Sequence, residues 1–427
     1  MVCRVYDPPK TKAKVMSAFA FGSFKRVSWI WIHIMLLWTQ LETGHSSDWP
    51  QFLGPQRNGS TPERITSWPS TGPKHLWKQP IGAGFSGPVI RGEHVLTFDR
   101  DGDQERVRSL DPATGNTRWT HQAPTAYVDG FGFDDGPRGT PATTTNRVIT
   151  FGAQGRLTCL DLADGRKIWA IEAGRDLGAD KGFFGPACSP LIVGQRIFMN
   201  LGNRNGGGIA AFDLTSGTLL WKATDHEAGY ASPVPGPGSG DISFFTREGL
   251  VITRMDGKVG PVHRWRSRQH ASVNAASPLL SGTEILLTTS YDTGAILLRR
   301  TEEKIEVVWS GDESLSAHYA TPVLSGGFLY GFHGRQERGP EFRCVEWATG
   351  KMRWSETGLG AGTVLLAGTD LVLLLESGEL VVAAASPDRF QIRSRVQILG
   401  KGTRAPFALG GGHLVARDPR ILVCLGN

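Results

Sequence analysis

The chain of 427 residues holds only five cysteines, and no two of them are spaced as a pair. No CxxC, CxxCH or closely spaced histidine pair occurs, so zinc and c-type haem have no ligand set at a usable spacing. Five scattered thiols do not make a disulfide framework either. Cys159, Cys344 and Cys424 occupy matching places in the strings RLTCL, EFRCV and ILVCL, which reads as small buried side chains far apart in the fold. GxSxG, the P-loop and HExxH are all missing, and with them the local signatures of serine hydrolases, nucleotide-binding loops and zinc peptidases. Charge of one sign is scarce as well. Most of the formal net charge of +6 sits in residues 1–45, where Arg4, Lys10, Lys12, Lys14, Lys25 and Arg26 face only Asp7 and Glu42. The remainder is close to neutral, so no nucleic-acid partner is expected.

Those first 45 residues explain their own charge. Lys25 and Arg26 precede the apolar run Val27–Trp38, followed by the small, polar Thr43–Ser47. The run is shorter than the roughly 20 residues that a membrane-crossing helix needs. Residues 1–45 therefore read as an export signal, with an uncleaved N-terminal anchor as the alternative and Met16 as a second possible start. The expected location is the periplasm or cell envelope. Membrane contact is expected only through this segment.

What the chain does contain is glycine, 55 residues of it, 25 prolines, and a recurring ten-residue phrase. LDPATGNTRW ends at Trp119, LDLADGRKIW at Trp169, FDLTSGTLLW at Trp221 and VEWATGKMRW at Trp354. With Trp77, Trp265 and Trp309 added, tryptophans recur at intervals in the forties to low fifties. That period, with strand-like content, signals a propeller. Each unit begins with Ser-Pro or Thr-Pro (Thr140-Pro141, Ser189-Pro190, Ser232-Pro233, Ser277-Pro278, Thr321-Pro322) and continues through two more strands, such as RVITFGA and RLTCLDL. The phrase then supplies the turn into the fourth. Its acid can accept hydrogen bonds from loop N–H groups, and its glycine can take the positive φ of a tight hairpin. A buried indole removes about 150–250 Å² from water, on the order of 4–6 kcal/mol at about 25 cal/mol per Å². A single four-stranded sheet cannot cover both its faces, whereas radial stacking with an indole between neighbours does.

The copies before Trp265 and Trp309 are degenerate, and the unit from Ala361 to about Lys401 has no tryptophan. The last segment, Ala405–Asn427, holds only three strands, and Lys74–Gly82 holds one strand with a tryptophan and no predecessors. Joined, they complete a blade. The expectation is an all-β chain: 46–73 a lead-in, and 74–427 an eight-bladed β-propeller of four-stranded antiparallel blades, closed by pairing of the two terminal segments. Seven blades is the alternative.

The [DE]-x-x-[TS]-G-x-x-x-W phrase, its period and the Ser-Pro/Thr-Pro openings resemble PQQ-like (pyrrolo-quinoline quinone-like) repeats. Such repeats are found in bacterial quinoprotein dehydrogenases and in the propeller lipoprotein of the outer-membrane barrel-assembly machinery. The resemblance runs from about Asp48 to the end, and the opening DWPQFLGPQRNGS (Asp48–Ser60) also resembles exported members. It implies a fold more strongly than an activity, because the repeat is architectural.

In such a ring the first strand of each blade lines the channel, so the loop entering it lies on one rim. Counting back from the opening prolines and along neighbouring loops gives the ligand-binding candidates Phe85, Arg138, Phe184, Tyr230, His270, Asn274, His318, Tyr319 and Arg404. Two entering loops, residues 125–139 and 174–187, are long and aromatic, as binding loops on rigid scaffolds tend to be. The alternative is that these side chains only fill the channel mouth. A quinone with three carboxylates would want guanidinium forks, stacking rings and a calcium ion with an acidic base. The adjacent cysteine pair that the resemblance implies for such dehydrogenases is missing here. The acidic string DRDGDQE (Asp99–Glu105) is out of order for a calcium loop and reads as a solvated hairpin. The expectation is therefore a monomeric, non-catalytic, exported binding or scaffold protein with no catalytic residues, no metal and no cofactor, engaging an unknown protein or small molecule at the rim. A PQQ-dependent dehydrogenase with calcium is the alternative.

Overall fold

The computed structural model describes residues 48–426 apart from 66–67, 69–71, 228, 271 and 303, so the leader lies outside the described residues. The described chain forms eight sheets, each with four consecutive antiparallel neighbours in the hydrogen-bonding order, and they make an eight-bladed propeller. Blades 1 to 7 comprise residues 89–124, 142–172, 191–223, 234–264, 279–311, 323–356 and 362–397. Blade 8 takes its first three strands from 408–426 and its fourth from His75–Pro80. That fourth strand lies antiparallel to Ile421–Gly426, with Trp77 opposite Cys424. The terminal closure read from the unpaired segments is present, and the seven-bladed alternative falls away.

The recurring phrase acts as a staple between blades. In the turns, Asp111 Oδ1 accepts from Ala113 N and Thr114 N at 3.0 and 2.9 Å. Asp213 Oδ1 does the same with Thr215 N and Ser216 N at 3.0 and 2.8 Å. These backbone donors hold both carboxyls below the ordinary aspartate range. Gly115, Gly165, Gly217 and Gly350 adopt φ between +70° and +73°. A second reason for glycine is tertiary: the indole of the preceding blade lies against each one. A Cβ at these positions would stand 2.7 Å from the ring of Trp77, 2.4 Å from Trp119, 2.7 Å from Trp169 and 2.8 Å from Trp309. Each ring also donates Nε1–H to a carbonyl of the same turn, Trp119 to Leu162 at 2.9 Å, Trp169 to Leu214 at 3.1 Å and Trp309 to Trp347 at 2.7 Å. Cys424, Cys159 and Cys344 sit directly across the ladder from Trp77, Trp169 and Trp354, buried and unpaired among the described residues. Burial pushes the Cys159 thiol up to about 12, as it does a buried apolar-site thiol in general.

One tryptophan was misplaced by its spacing. The glycine of the blade 4 turn is Gly257, which lies under Trp221, and the residue four places on is Pro261. Trp265 comes after the ladder, stacked on Phe245 with centroids 5.9 Å apart. Blade 5 lacks the matching glycine in its own turn, so the junction from blade 4 to blade 5 has no staple of this kind.

The Ser-Pro/Thr-Pro openings have an inter-blade function too. Gly87 N donates to Thr140 Oγ1 at 3.2 Å, Thr140 N to Ser189 Oγ at 2.9 Å and Ser189 N to Ser232 Oγ at 2.8 Å. Ser232 N then donates to Ser277 Oγ at 3.0 Å and Ser277 N to Thr321 Oγ1 at 2.9 Å. A hydroxyl belt thus links blades 1 to 6 around the channel.

The lead-in is more than a lead-in. Trp49, 1% exposed, exchanges two 2.9 Å backbone bonds with Ile90 on the first strand of blade 1. Pro50 O accepts from Thr143 N of blade 2 at 2.9 Å. Arg57 donates to Pro190 O at 2.7 Å and Ser189 O at 3.0 Å of blade 3. Ser60–Thr61 then pairs in parallel with the first strand of blade 7. The segment therefore spans the channel on the hairpin side, opposite the entering-loop rim. Arg57 is buried with no carboxylate partner among the described residues, and desolvation pushes it down to about 9.

Candidate functional site

The rim candidates fall into two groups. On the blades 1–4 side, the loop of residues 125–139 is folded around Asp129. Its Oδ2 accepts from Phe133 N at 2.7 Å and Asp134 N at 3.3 Å. Arg138 lies 3.7 Å from the same carboxylate and donates to Asp134 O at 2.9 Å. Its guanidinium is 5.8 Å from the Phe85 ring and 5.7 Å from that of Tyr127. Phe184 lies 5.0 Å from Phe131, 5.9 Å from Phe133 and 5.8 Å from Tyr230, centroid to centroid. Tyr230 fixes the neighbouring loop by accepting at its hydroxyl from Phe183 N and Phe184 N, at 2.7 and 2.9 Å. Burial raises the Tyr230 hydroxyl above its ordinary value. His270 is exposed, its ring edge-on to Phe183 at 6.1 Å. The outcome is a fastened loop that holds Val128, Phe131 and Phe133 out in solvent at 63%, 56% and 59% exposure.

On the blades 5–8 side the chemistry is polar. Glu376 Oε1 accepts from the Tyr319 hydroxyl at 2.8 Å and from Gln336 Nε2 at 3.3 Å, with Arg404 Nε 3.1 Å away. Burial, and then the Glu376 charge, hold the Tyr319 hydroxyl far above its ordinary value. His318 bridges Tyr291 and Gln336, at 2.9 Å on each ring nitrogen, and burial pushes its imidazole down. Asn274 belongs to neither group. It is 3% exposed and donates to Thr246 O at 2.9 Å, while its own carbonyl accepts from Tyr230 N and Ala231 N.

Glu376, Gln336, Tyr291 and Arg247, which stacks 4.9 Å over Phe183, were not among the sequence candidates. All four lie between the second and third strands of their blades. Those connections share the rim with the entering loops, but no opening proline marks them. Blade 7, which contributes Glu376, has no opening proline at all.

The acidic string in blade 1 is only partly a solvated hairpin. Asp101, Gly102 and Asp103 are exposed, but Asp99 and Glu105 are buried. Asp99 accepts from Gly82 N at 2.7 Å and pairs with Arg106 at 2.8 Å; Glu105 accepts from Ala153 N of blade 2 at 2.6 Å. Both tie the blade to its surroundings.

For a quinone the donor set fits poorly as arranged. Arg138 is turned into its own loop and Arg404 onto Glu376, so neither presents a free fork. Among the described residues no three His, Cys, Asp or Glu side chains converge as metal ligands.

Eight four-stranded blades, built from this repeat, define a PQQ-like-repeat β-propeller. The family model described as "Outer membrane protein assembly factor BamB" matches residues 58–199 and 103–356, and the chain belongs to that family. A comparison with curated proteins gives no match. Among solved structures, BamB from Moraxella catarrhalis is similar at 15% identity and a TM-score of 0.62, over 83% of this chain and 97% of that one. Quinohemoprotein alcohol dehydrogenase from Comamonas testosteroni is similar at 13% identity and 0.67, over 89% and 80%. A europium-containing methanol dehydrogenase reaches 0.68 at 11% identity, over 87% and 90%. At such identities the likeness concerns the fold.

Proposed function

We propose that this protein is a non-catalytic binding or scaffold protein of the periplasm or cell envelope, exported through its N-terminal segment, which takes a protein partner on the entering-loop rim. The observation that carries this reading is the outward presentation of Val128, Phe131 and Phe133 on a loop fastened from within by Asp129 and Arg138. Exposed aromatic side chains on a monomer's surface mark interaction sites, and a loop already ordered loses little entropy on binding. Anchoring phenyl groups of this kind are what interface hot spots are made of. The affiliation with a family described by outer-membrane protein assembly supports an envelope setting.

The test is capture of partners from an envelope extract by the wild-type protein and by Phe131→Ser/Phe133→Ser. The doubly substituted protein should stay folded, losing the ring contacts with Phe184, about 1 kcal/mol each, and should lose the captured band. Equal capture by both proteins would overturn the rim assignment. Stoichiometric uptake of PQQ with Ca²⁺ and dye-linked alcohol oxidation would replace the binding reading with a redox one.

A further inference from the structure

Two kinds of fastening hold neighbouring blades together, and their gaps differ. The indole staple is missing from blade 4 to blade 5, but there the hydroxyl belt is intact through Ser232 N and Ser277 Oγ. The belt ends at Thr321. Blade 7 opens on Ala361-Gly362-Thr363, where the Thr363 hydroxyl is buried with no partner among the described residues, and blade 8 opens on Ala405-Pro406. From blade 6 to blade 7 the staple survives, Trp354 donating to Ser386 O at 2.9 Å. From blade 8 to blade 1 it survives as Trp77 donating to Pro112 O at 2.8 Å. From blade 7 to blade 8 neither device is present among the described residues. Ser394, paired with Val382 just past the strand's bulge, stands where Trp221 stands in blade 3 beside Ala211.

That junction is where the lead-in lies. Gly59 O accepts from Leu366 N at 2.8 Å and Thr61 O from Gly368 N at 3.0 Å, both on blade 7. Glu63 Oε1 accepts from Gly411 N of blade 8 at 2.8 Å. Ile65 and Trp68 pack, with Val396 of blade 7, against a core cluster that includes Leu365, Ile398, Leu409 and Leu414. We propose that residues 59–65, with Trp68, are the suture of the blade 7–blade 8 junction, a second closure of the ring that replaces both the missing indole and the missing hydroxyl. The first closure, the strand His75–Pro80, joins the termini within blade 8.

Hydrogen exchange of the full-length protein tests this. Glu63→Ala and Trp68→Ala, made singly, should raise amide exchange about tenfold in strands Gly362–Ala367 and Ala408–Gly410, while residues 191–254 keep their parental rates. Gly59→Ala is an independent variant. Its Cβ would stand 2.9 Å from Val323 Cγ1 of blade 6 at a φ of +74°, so it should push the segment off blade 7 and raise exchange in Gly362–Ala367 without touching either removed side chain. Exchange that stays at parental rates in those two strands, or rises evenly around the ring, overturns the proposal.

Discussion

If the repeat phrase is a two-part device, its halves must be energetically coupled, and the Trp119–Gly165 pair measures this. Trp119 is 8% exposed and donates to Leu162 O at 2.9 Å. Replacing it by alanine opens a cavity and strands a carbonyl, a loss of about 4 kcal/mol. Gly165→Ala places a methyl 2.4 Å from the Trp119 ring at a φ of +73°. The left-handed conformation costs about 1 kcal/mol and the displaced indole about 2 more. In the double variant the clash has no partner, so the two losses should sum to about 5 rather than about 7 kcal/mol, a coupling of about 2. Urea unfolding followed by far-ultraviolet circular dichroism gives the cycle without relying on the fluorescence of the residue removed. Additivity within about 0.5 kcal/mol would show that the glycine serves only its own turn and that the inter-blade reading is wrong.

Three further outcomes follow from the geometry. Tyr319→Phe removes a donor from Glu376 and should lower stability by about 1–2 kcal/mol, read as a shift in the urea midpoint, with Arg404 and Gln336 still in place; no shift would mean that the hydrogen bond is idle. His318 is held neutral by burial, so its folded-state pKa lies below the ordinary imidazole value. The unfolded chain then takes up the proton first, and stability should fall as pH drops below about 6.5; His318→Gln should make the melting temperature less steep between pH 7 and pH 5. The unstapled seam between blades 4 and 5 should exchange its amides faster along Val259–Arg264 than the stapled counterpart Leu219–Ala223 does in blade 3, and equal protection would mean that the belt alone secures a junction.

Most of the ring was legible in the chain because its cause is local. A turn that needs an acid at its start and a glycine four residues later writes itself into the sequence, and period and strand count follow. Asp111, Asp213 and their glycines could be assigned from the phrase alone, as could Trp77 opposite the last strand. Spacing misled at Trp265, since near-constant intervals cannot tell a docked indole from one a few residues past the ladder. Only the packed blades show Pro261 in that place. The rim was half visible: opening prolines flag the entering loops, but the second-to-third-strand connections that carry Tyr291, Gln336 and Glu376 have no marker of their own.

The sequence by itself determined the blade, because turn chemistry and strand alternation act within about 50 residues. Tertiary structure alone decided how the blades are joined. The second purpose of each turn glycine, the hydroxyl belt, the path of residues 48–65 across the channel and the burial of Glu105 and Arg57 all depend on groups far apart in the chain. Such contacts leave no period to read, since each is fixed by which surfaces meet once the ring has closed.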